Sequence, residues 1–184
     1  MPLSKTRLTT LGKFIALVLR HQPDVIGAKL DINGWLSVPV LLANTKQPME
    51  KQELEEVVQL DDKGRYAFNE DNTQIRAVQG HSVEVDAGEV LVEVVPEYLY
   101  HGTAEFNIAS IFEEGLLRQT RQFVHMSLDK ETARTVGMRH SKDFEPIIVT
   151  IKASEASAAG HLFYLSENGV YLSKYVPLEY LLRP

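Results

Sequence analysis

Three short runs set an arginine beside another nitrogen-bearing side chain: Arg20-His21, Lys63-Gly64-Arg65 and Arg139-His140. A guanidinium offers planar, paired donors that fit a phosphate, and it stays charged when partly desolvated. Several arginines converging without a metal suit a phosphate dianion that is held and then transferred. Three tripeptides add ring nitrogens and hydroxyls: Gly80-His81-Ser82, His101-Gly102-Thr103 and His125-Met126-Ser127. A turn such as His101-Gly102-Thr103, between an apolar strand and a helix, presents an imidazole, an open backbone and a hydroxyl to one ligand. Taken singly, the same residues also read as surface arginines and hydrogen-bonded structural imidazoles, and spacing alone leaves both readings open.

Other chemistries lack their residues. The chain has no Gly-x-x-x-x-Gly-Lys phosphate loop, no Gly-x-Gly-x-x-Gly fingerprint and no Gly-x-Ser-x-Gly nucleophile elbow. Its six histidines (21, 81, 101, 125, 140 and 161) form no pair at metal-ligand spacing on one helix, so no metal is expected. Cysteine is absent, which removes disulfides and thiolate zinc sites and suits a reducing, cytoplasmic setting.

The elements that must position these groups follow from pattern. A chain of 184 residues, 44% hydrophobic and 24% charged, has the balance of one globular domain or two small ones. No apolar run approaches the roughly 18 residues of a membrane helix, and MPLSKTRLTT has no apolar core of a secretory signal. The net charge is −6, yet residues 1–30 carry Lys5, Arg7, Lys13, Arg20 and Lys29 against Asp24 alone. The acids gather later, at Glu50, Glu53, Glu55, Glu56, Asp61 and Asp62. A nucleic-acid partner is therefore compatible with the total, and so is a merely solvated basic helix face.

Ser4 is placed to cap a first helix whose Leu8, Leu11, Ile15, Val18 and Leu19 share one face; Arg20 and His21 close it before Pro23. Asn33-Gly34 reads as a turn, with Trp35 packed behind it. Ser37 is placed to cap a short helix over 38–43, and a third helix over 50–60 buries Leu54, Val57 and Val58. Arg65–Phe68 and Gln74–Val78 form a hairpin. Three helices followed by a hairpin is the order of a winged-helix module. The polar stretch 84–89 marks a boundary. After it come strands at 90–92, 98–100, 123–126, 147–151 and 170–172, with helices over 108–114 and 130–136. The expected class is α+β, with a split antiparallel sheet in the second lobe.

Seven blocks in order then resemble the RNA 2′-phosphotransferase family: Leu17-Val18-Leu19-Arg20-His21, Asp62-Lys63-Gly64-Arg65-Tyr66, and Ile75 through Gly80-His81-Ser82; then Tyr100-His101-Gly102-Thr103, Val124-His125-Met126-Ser127, Val136-Gly137-Met138-Arg139-His140 and Asn168-Gly169-Val170-Tyr171-Leu172-Ser173. The resemblance implies a winged-helix RNA-binding lobe over 1–88 and an NAD-binding lobe of ADP-ribosyltransferase type over 89–184. It implies removal of an internal 2′-phosphate from tRNA-like RNA, with NAD as co-substrate and no metal. The products are RNA with a 2′-hydroxyl, ADP-ribose 1″,2″-cyclic phosphate and nicotinamide.

By the same resemblance Arg20, His21, Arg65 and Arg139 form the catalytic set, and Lys63, Gly80, His81 and Ser82 join Arg20 and Arg65 around the substrate phosphate. His101, Gly102, Thr103, Arg121, His125 and Ser127 bind NAD. Val170 stands where protein-modifying ADP-ribosyltransferases carry a glutamate. That substitution has a chemical sense, because a 2′-phosphate is already anionic and needs no general base. Met126 replaces a common leucine of similar volume. The alternative is an ADP-ribosyltransferase that leaves ADP-ribose on nucleic-acid phosphates. A non-catalytic winged-helix binder would have no use for His101, His125 and Arg139. The chain is expected to act as a monomer.

Overall fold

A computed structural model describes residues 2–45, 48–141 and 145–184. The chain divides into two compact units, Met1–Gly88 and Glu89–Pro184. Both mix helices with antiparallel sheets, so the class is α+β. Among the described residues no helix is long and apolar enough to cross a membrane.

In the first unit, α1 (Lys5–Arg20) starts where the Ser4 hydroxyl accepts the Arg7 N–H. Leu11, Ile15, Val18 and Leu19 recur at helical spacing and are fully buried. Strand β1 (Leu36–Ser37) and helices α2 (Val38–Asn44) and α3 (Lys51–Gln59) follow, then strands β2 (Tyr66–Phe68) and β3 (Gln74–Ala77). Leu41, Leu54 and Ile75 close the core against α1. Removing one of these large side chains costs about 2–5 kcal/mol, so α1 is held firmly up to its last residue, Arg20.

Three expectations shift here. The sheet has three strands, β1-β3-β2, because Leu36 and Ser37 pair with Ile75 and Gln74. Two residues are too few to show alternation in sequence. Ser37 occupies the N-cap of α2 but its side chain makes no capping bond. Val58 is only half-buried, since Leu54 and Val57 already fill the core face of α3. The basic and acidic segments also meet: Arg7 pairs with Glu53 at 2.9 Å, and Glu56 accepts the Leu3 N–H.

In the second unit, β4 (Val90–Leu91), β5 (Leu99–Thr103), α4 (Ile108–Glu114), β6 (Leu116–Leu117), β7 (Val124–Met126) and α5 (Lys130–Ser141) precede β8 (Ile147–Ile151) and α6 (Ala153–Ala158). Then come β9 (Tyr164–Leu165), β10 (Tyr171–Ser173), β11 (Tyr175–Val176) and β12 (Leu181–Leu182). One sheet runs β12-β8-β5 and another β4-β9-β10-β7. They are joined at a bridge where Tyr100 and Ser127 exchange N–H···O bonds of 2.9 and 2.8 Å. Strands β6 and β11 make a separate pair. Leu99, Met126, Val149, Ile151 and Phe163 form the core.

The sequence reading is corrected at three places. His101-Gly102-Thr103 is not a turn but the second half of β5, because β8 offers five residues in register, Leu99 opposite Ile151 through Thr103 opposite Ile147. The helix expected over 130–136 continues to Ser141, so Arg139 is helical; Gly137 is a packing residue and does not end α5. A third helix, α6, joins the two expected; Ala153–Ala158 is too short and too alanine-rich to show an apolar stripe.

Candidate functional site

In the first unit the end of α1 and the start of the hairpin come together around Tyr66. The Tyr66 ring is buried and its hydroxyl donates to the Gly12 carbonyl at 2.9 Å. The Arg20 and Arg65 guanidinium carbons stand 5.8 and 5.6 Å from its centroid. Two like charges thus share one aromatic wall, an arrangement that suits an anion. Burial pushes the Tyr66 phenol above its ordinary pKa, although both arginines pull the other way, so it stays neutral.

Arg65 has a carboxylate behind it. Asp61 Oδ1 accepts Nε–H at 2.8 Å and also an Nη2–H, while Oδ2 accepts the Arg65 backbone N–H. The Asp61 side chain is 2% exposed and that of Arg65 36%. Burial works to raise the Asp61 pKa; the Arg65 hydrogen bonds and the Arg65 and Arg20 charges outweigh it and hold the carboxyl below its usual range. Lys63 lies exposed in the turn between Asp61 and Gly64.

The Gly80-His81-Ser82 segment folds over the end of α1. The Ser82 backbone N–H donates to the Arg20 carbonyl at 2.8 Å, filling an acceptor the helix leaves open. The Ser82 hydroxyl lies 3.0 Å from His21 Nδ1 and 3.4 Å from the Arg20 carbonyl oxygen. Since that carbonyl only accepts, the hydroxyl donates to it and takes the His21 Nδ1–H. Gly80 holds φ +87°, and a Cβ there would lie 3.6 Å from the Arg20 guanidinium.

His81 is 1% exposed, and among the described residues neither ring nitrogen has a hydrogen-bond partner. Burial first, then the charges of Arg20, His21 and Arg76, lower its pKa to about 4. A ring this buried and this neutral walls the arginine cluster and does not add charge to it. Sequence reasoning singled out Arg20, His21, Lys63, Arg65 and the 80–82 segment but passed over Asp61 and Tyr66. The signal was an acid four residues before Arg65, read there only as part of an acidic run.

In the second unit the bridge between the sheets brings two expected histidines together. His101 Nδ1–H donates to the His125 carbonyl at 2.9 Å, and His125 Nδ1–H donates to the Phe123 carbonyl at 3.0 Å. Each ring is thereby fixed in one tautomer. Thr103 is buried and its hydroxyl accepts from Asn107 Nδ2 at 3.1 Å. Ser127, half-buried, supplies the bridge backbone.

Arg121, just before β7, is half-buried. Burial, and then the charge of Arg139 on α5, pull its guanidinium below the ordinary arginine pKa. Among the described residues neither arginine forms an ion pair with a carboxylate. Val170 is half-buried at the base of the β9–β10 hairpin, tied to Ser166. Among the described residues no group of acids and histidines could hold a metal ion.

These features define an α+β protein of two units, each presenting two arginines near one another. Residues 6–175 match the model of the family described as RNA 2′-phosphotransferase, Tpt1 / KptA family, and the chain belongs to that family. A protein of Nostoc punctiforme named "Probable RNA 2′-phosphotransferase" is 46% identical, covering 97% of this chain and 98% of the relative. Relatives of the same name in Fusobacterium nucleatum and Flavobacterium johnsoniae are 45% and 47% identical. They cover 93% and 94% of this chain, and 96% and 94% of their own lengths.

Proposed function

We propose that this chain removes an internal 2′-phosphate from RNA by transferring it to NAD. In the first step a 2′-phosphate oxygen attacks C1″ of the nicotinamide ribose and nicotinamide leaves. In the second the ribose 2″-hydroxyl attacks the phosphorus and the RNA 2′-oxygen leaves, giving 2′-hydroxyl RNA and ADP-ribose 1″,2″-cyclic phosphate. The observation that carries the reading is that each unit has its own arginine pair, Arg20 with Arg65 and Arg121 with Arg139, as two polyanionic reactants require.

The order α1-β1-α2-α3-β2-β3 with the sheet β1-β3-β2 supports a winged-helix reading of the first unit, as the RNA lobe. Two antiparallel sheets meeting at the Tyr100–Ser127 bridge support an ADP-ribosyltransferase-like reading of the second, as the NAD lobe. There the fixed imidazoles of His101 and His125, with Thr103 and Ser127, suit the ribose and nicotinamide end. The half-buried Arg121, in no ion pair among the described residues, suits the diphosphate. Its desolvation is unfavourable until an anion arrives.

Arg20 and Arg65 hold and orient the 2′-phosphate. His21, steadied by Ser82, serves proton transfer or charge balance in the second step, and Arg139 stabilises the phosphorane-like charge. Positioning and charge neutralisation are sufficient for a nucleophile that is already anionic.

The test mixes the protein with a short RNA bearing one internal 2′-phosphate, with and without NAD, in EDTA. NAD-dependent loss of the phosphate with release of the cyclic phosphate is expected. RNA that gains ADP-ribose and keeps it would instead make the chain a nucleic-acid ADP-ribosyltransferase. Unchanged RNA and NAD would overturn both.

A further inference from the structure

Asp61 lies beneath the first arginine pair and belongs to neither the phosphate-holding nor the NAD-holding set. Both its oxygens are occupied by one residue: Oδ1 takes Nε–H and an Nη2–H of Arg65, and Oδ2 takes the Arg65 backbone N–H. A carboxylate chelating backbone and side chain of the same arginine fixes χ angles as well as charge. It removes most of the rotamer freedom that a half-exposed arginine otherwise keeps.

The guanidinium has five N–H donors, and two point back at Asp61. The three left are the Nη1 pair and one on Nη2, and one N–H of each nitrogen lies on the outer end of the fork. That end can take two oxygens of one phosphate side by side. The inner edge cannot, because Asp61 already covers it. Tyr66, pinned to Gly12, stops the fork from swinging across the ring.

We infer that Asp61 is a positioning residue: it presets the Arg65 fork so that its outer end receives the RNA 2′-phosphate. The inference rests on the phosphotransferase reading. Asp61 touches no reacting atom; it acts through Arg65, and it balances one of the two positive charges around Tyr66 before the substrate arrives.

An asparagine at this position has the same shape and lacks the charge. Its single oxygen cannot serve both the side-chain donors and the backbone N–H, and its NH2 faces a donor whichever way the amide turns. The experiment measures steady-state removal of the 2′-phosphate by wild type, Asp61→Asn, Arg65→Ala and the double variant, each titrated in RNA and in NAD.

If Asp61 works through Arg65, Asp61→Asn loses about 10- to 100-fold in kcat/KM for RNA, while KM for NAD stays within about twofold. Added to Arg65→Ala, the same change loses less than about twofold more. Asp61→Asn within twofold of wild type, or an equal loss in the Arg65→Ala background, overturns the inference while the phosphotransferase reading stands. A wild type that leaves 2′-phosphorylated RNA untouched in NAD overturns the reading and the inference with it.

A second measurement keeps the inference open to refutation if Asp61→Asn melts below the assay temperature. In the 15N-labelled wild-type chain, the Arg65 Nε–H signal, assigned by its absence in Arg65→Lys, is expected to exchange with water slowly. Adding 2′-phosphorylated RNA without NAD is expected to shift the Arg65 Nη signals and leave Nε–H protected. Exchange at the rate of a freely exposed guanidinium overturns the inference.

Discussion

Gly102 on β5 and Gly137 on α5 face each other with no side chain between them. A Cβ on Gly137 would stand 3.0 Å from the Gly102 carbonyl carbon and 2.6 Å from Pro146 Cβ; one on Gly102 would fall 1.8 Å from the Ala133 carbonyl oxygen. The helix thus rests directly on the strand backbone. That contact sets the height of two candidate site residues at once, because His101 neighbours Gly102 on the strand and Arg139 lies two residues past Gly137 on the helix.

Gly102→Ala is therefore expected to be the most damaging single methyl in the second unit. The added carbon meets backbone on α5, which has no rotamer to change, so overpacking of about 3 kcal/mol or more follows. Gly137→Ala, meeting a proline ring and the Gly102 backbone, is expected to lose about 1–3 kcal/mol. Differential scanning calorimetry of both variants checks this. A melting profile for Gly102→Ala that overlays wild type would mean α5 is free to lift away.

Arg65 is expected to matter for folding as well as for phosphate removal. Judged as a strand-end arginine it contributes little to packing, but its truncation takes both guanidinium donors from the Asp61 carboxylate, 2% exposed, and leaves it only the backbone N–H at position 65. Arg65→Ala should then lose about 1–2 kcal/mol of stability together with nearly all turnover. Arg65→Lys keeps a charge for Asp61 but has no second edge for the phosphate, so kcat/KM should fall about 100-fold or more. Near-normal turnover by Arg65→Lys, in the same NAD-dependent assay, would reduce the residue to a diffuse positive charge.

What the sequence disclosed follows from how local each signal is. Helix α1 was legible because five apolar residues repeat along four turns and Ser4 precedes them; the hairpin was legible because alternation brackets a polar turn. Two-residue strands such as Leu36–Ser37 have no period to read, and they exist only because a longer neighbour pairs with them. His101-Gly102-Thr103 looked like a turn because glycine usually marks one, whereas here it marks a helix lying on a strand. In the site, the arginines and histidines could be named by type and spacing. The carboxylate behind Arg65 and the ring between Arg65 and Arg20 could not, since an acid in an acidic run and a tyrosine in a strand each have commoner uses.

Ser82→Ala separates the placing of His21 from the capping of α1. The Arg20 carbonyl keeps the Ser82 backbone N–H at 2.8 Å, so stability should change by less than about 1 kcal/mol. The His21 ring loses the Ser82 hydroxyl 3.0 Å from Nδ1, so kcat should fall about 5- to 20-fold with little change in KM for RNA. Unaltered kcat would show that the ring is oriented by other contacts.

His81 has a folded-state pKa of about 4 against roughly 6.5 in an unfolded chain. Above the unfolded value neither state binds the proton, and His81 leaves stability independent of pH. As pH falls below about 6.5 the unfolded chain takes up a proton that the buried ring refuses, so stability declines until about pH 4, where the folded ring also accepts one. The full loss is on the order of 3 kcal/mol. Asp61 does not mask this window. Its folded pKa lies below the ordinary carboxylate value, so its contribution is complete above about pH 4 and is lost only as pH falls through that lower folded value. Urea unfolding of wild type and His81→Asn at intervals from pH 7.5 to 4.5 should show a steeper acid decline in wild type, whatever the variant's absolute stability. Parallel declines would mean that His81 titrates normally and that water or another partner reaches its ring.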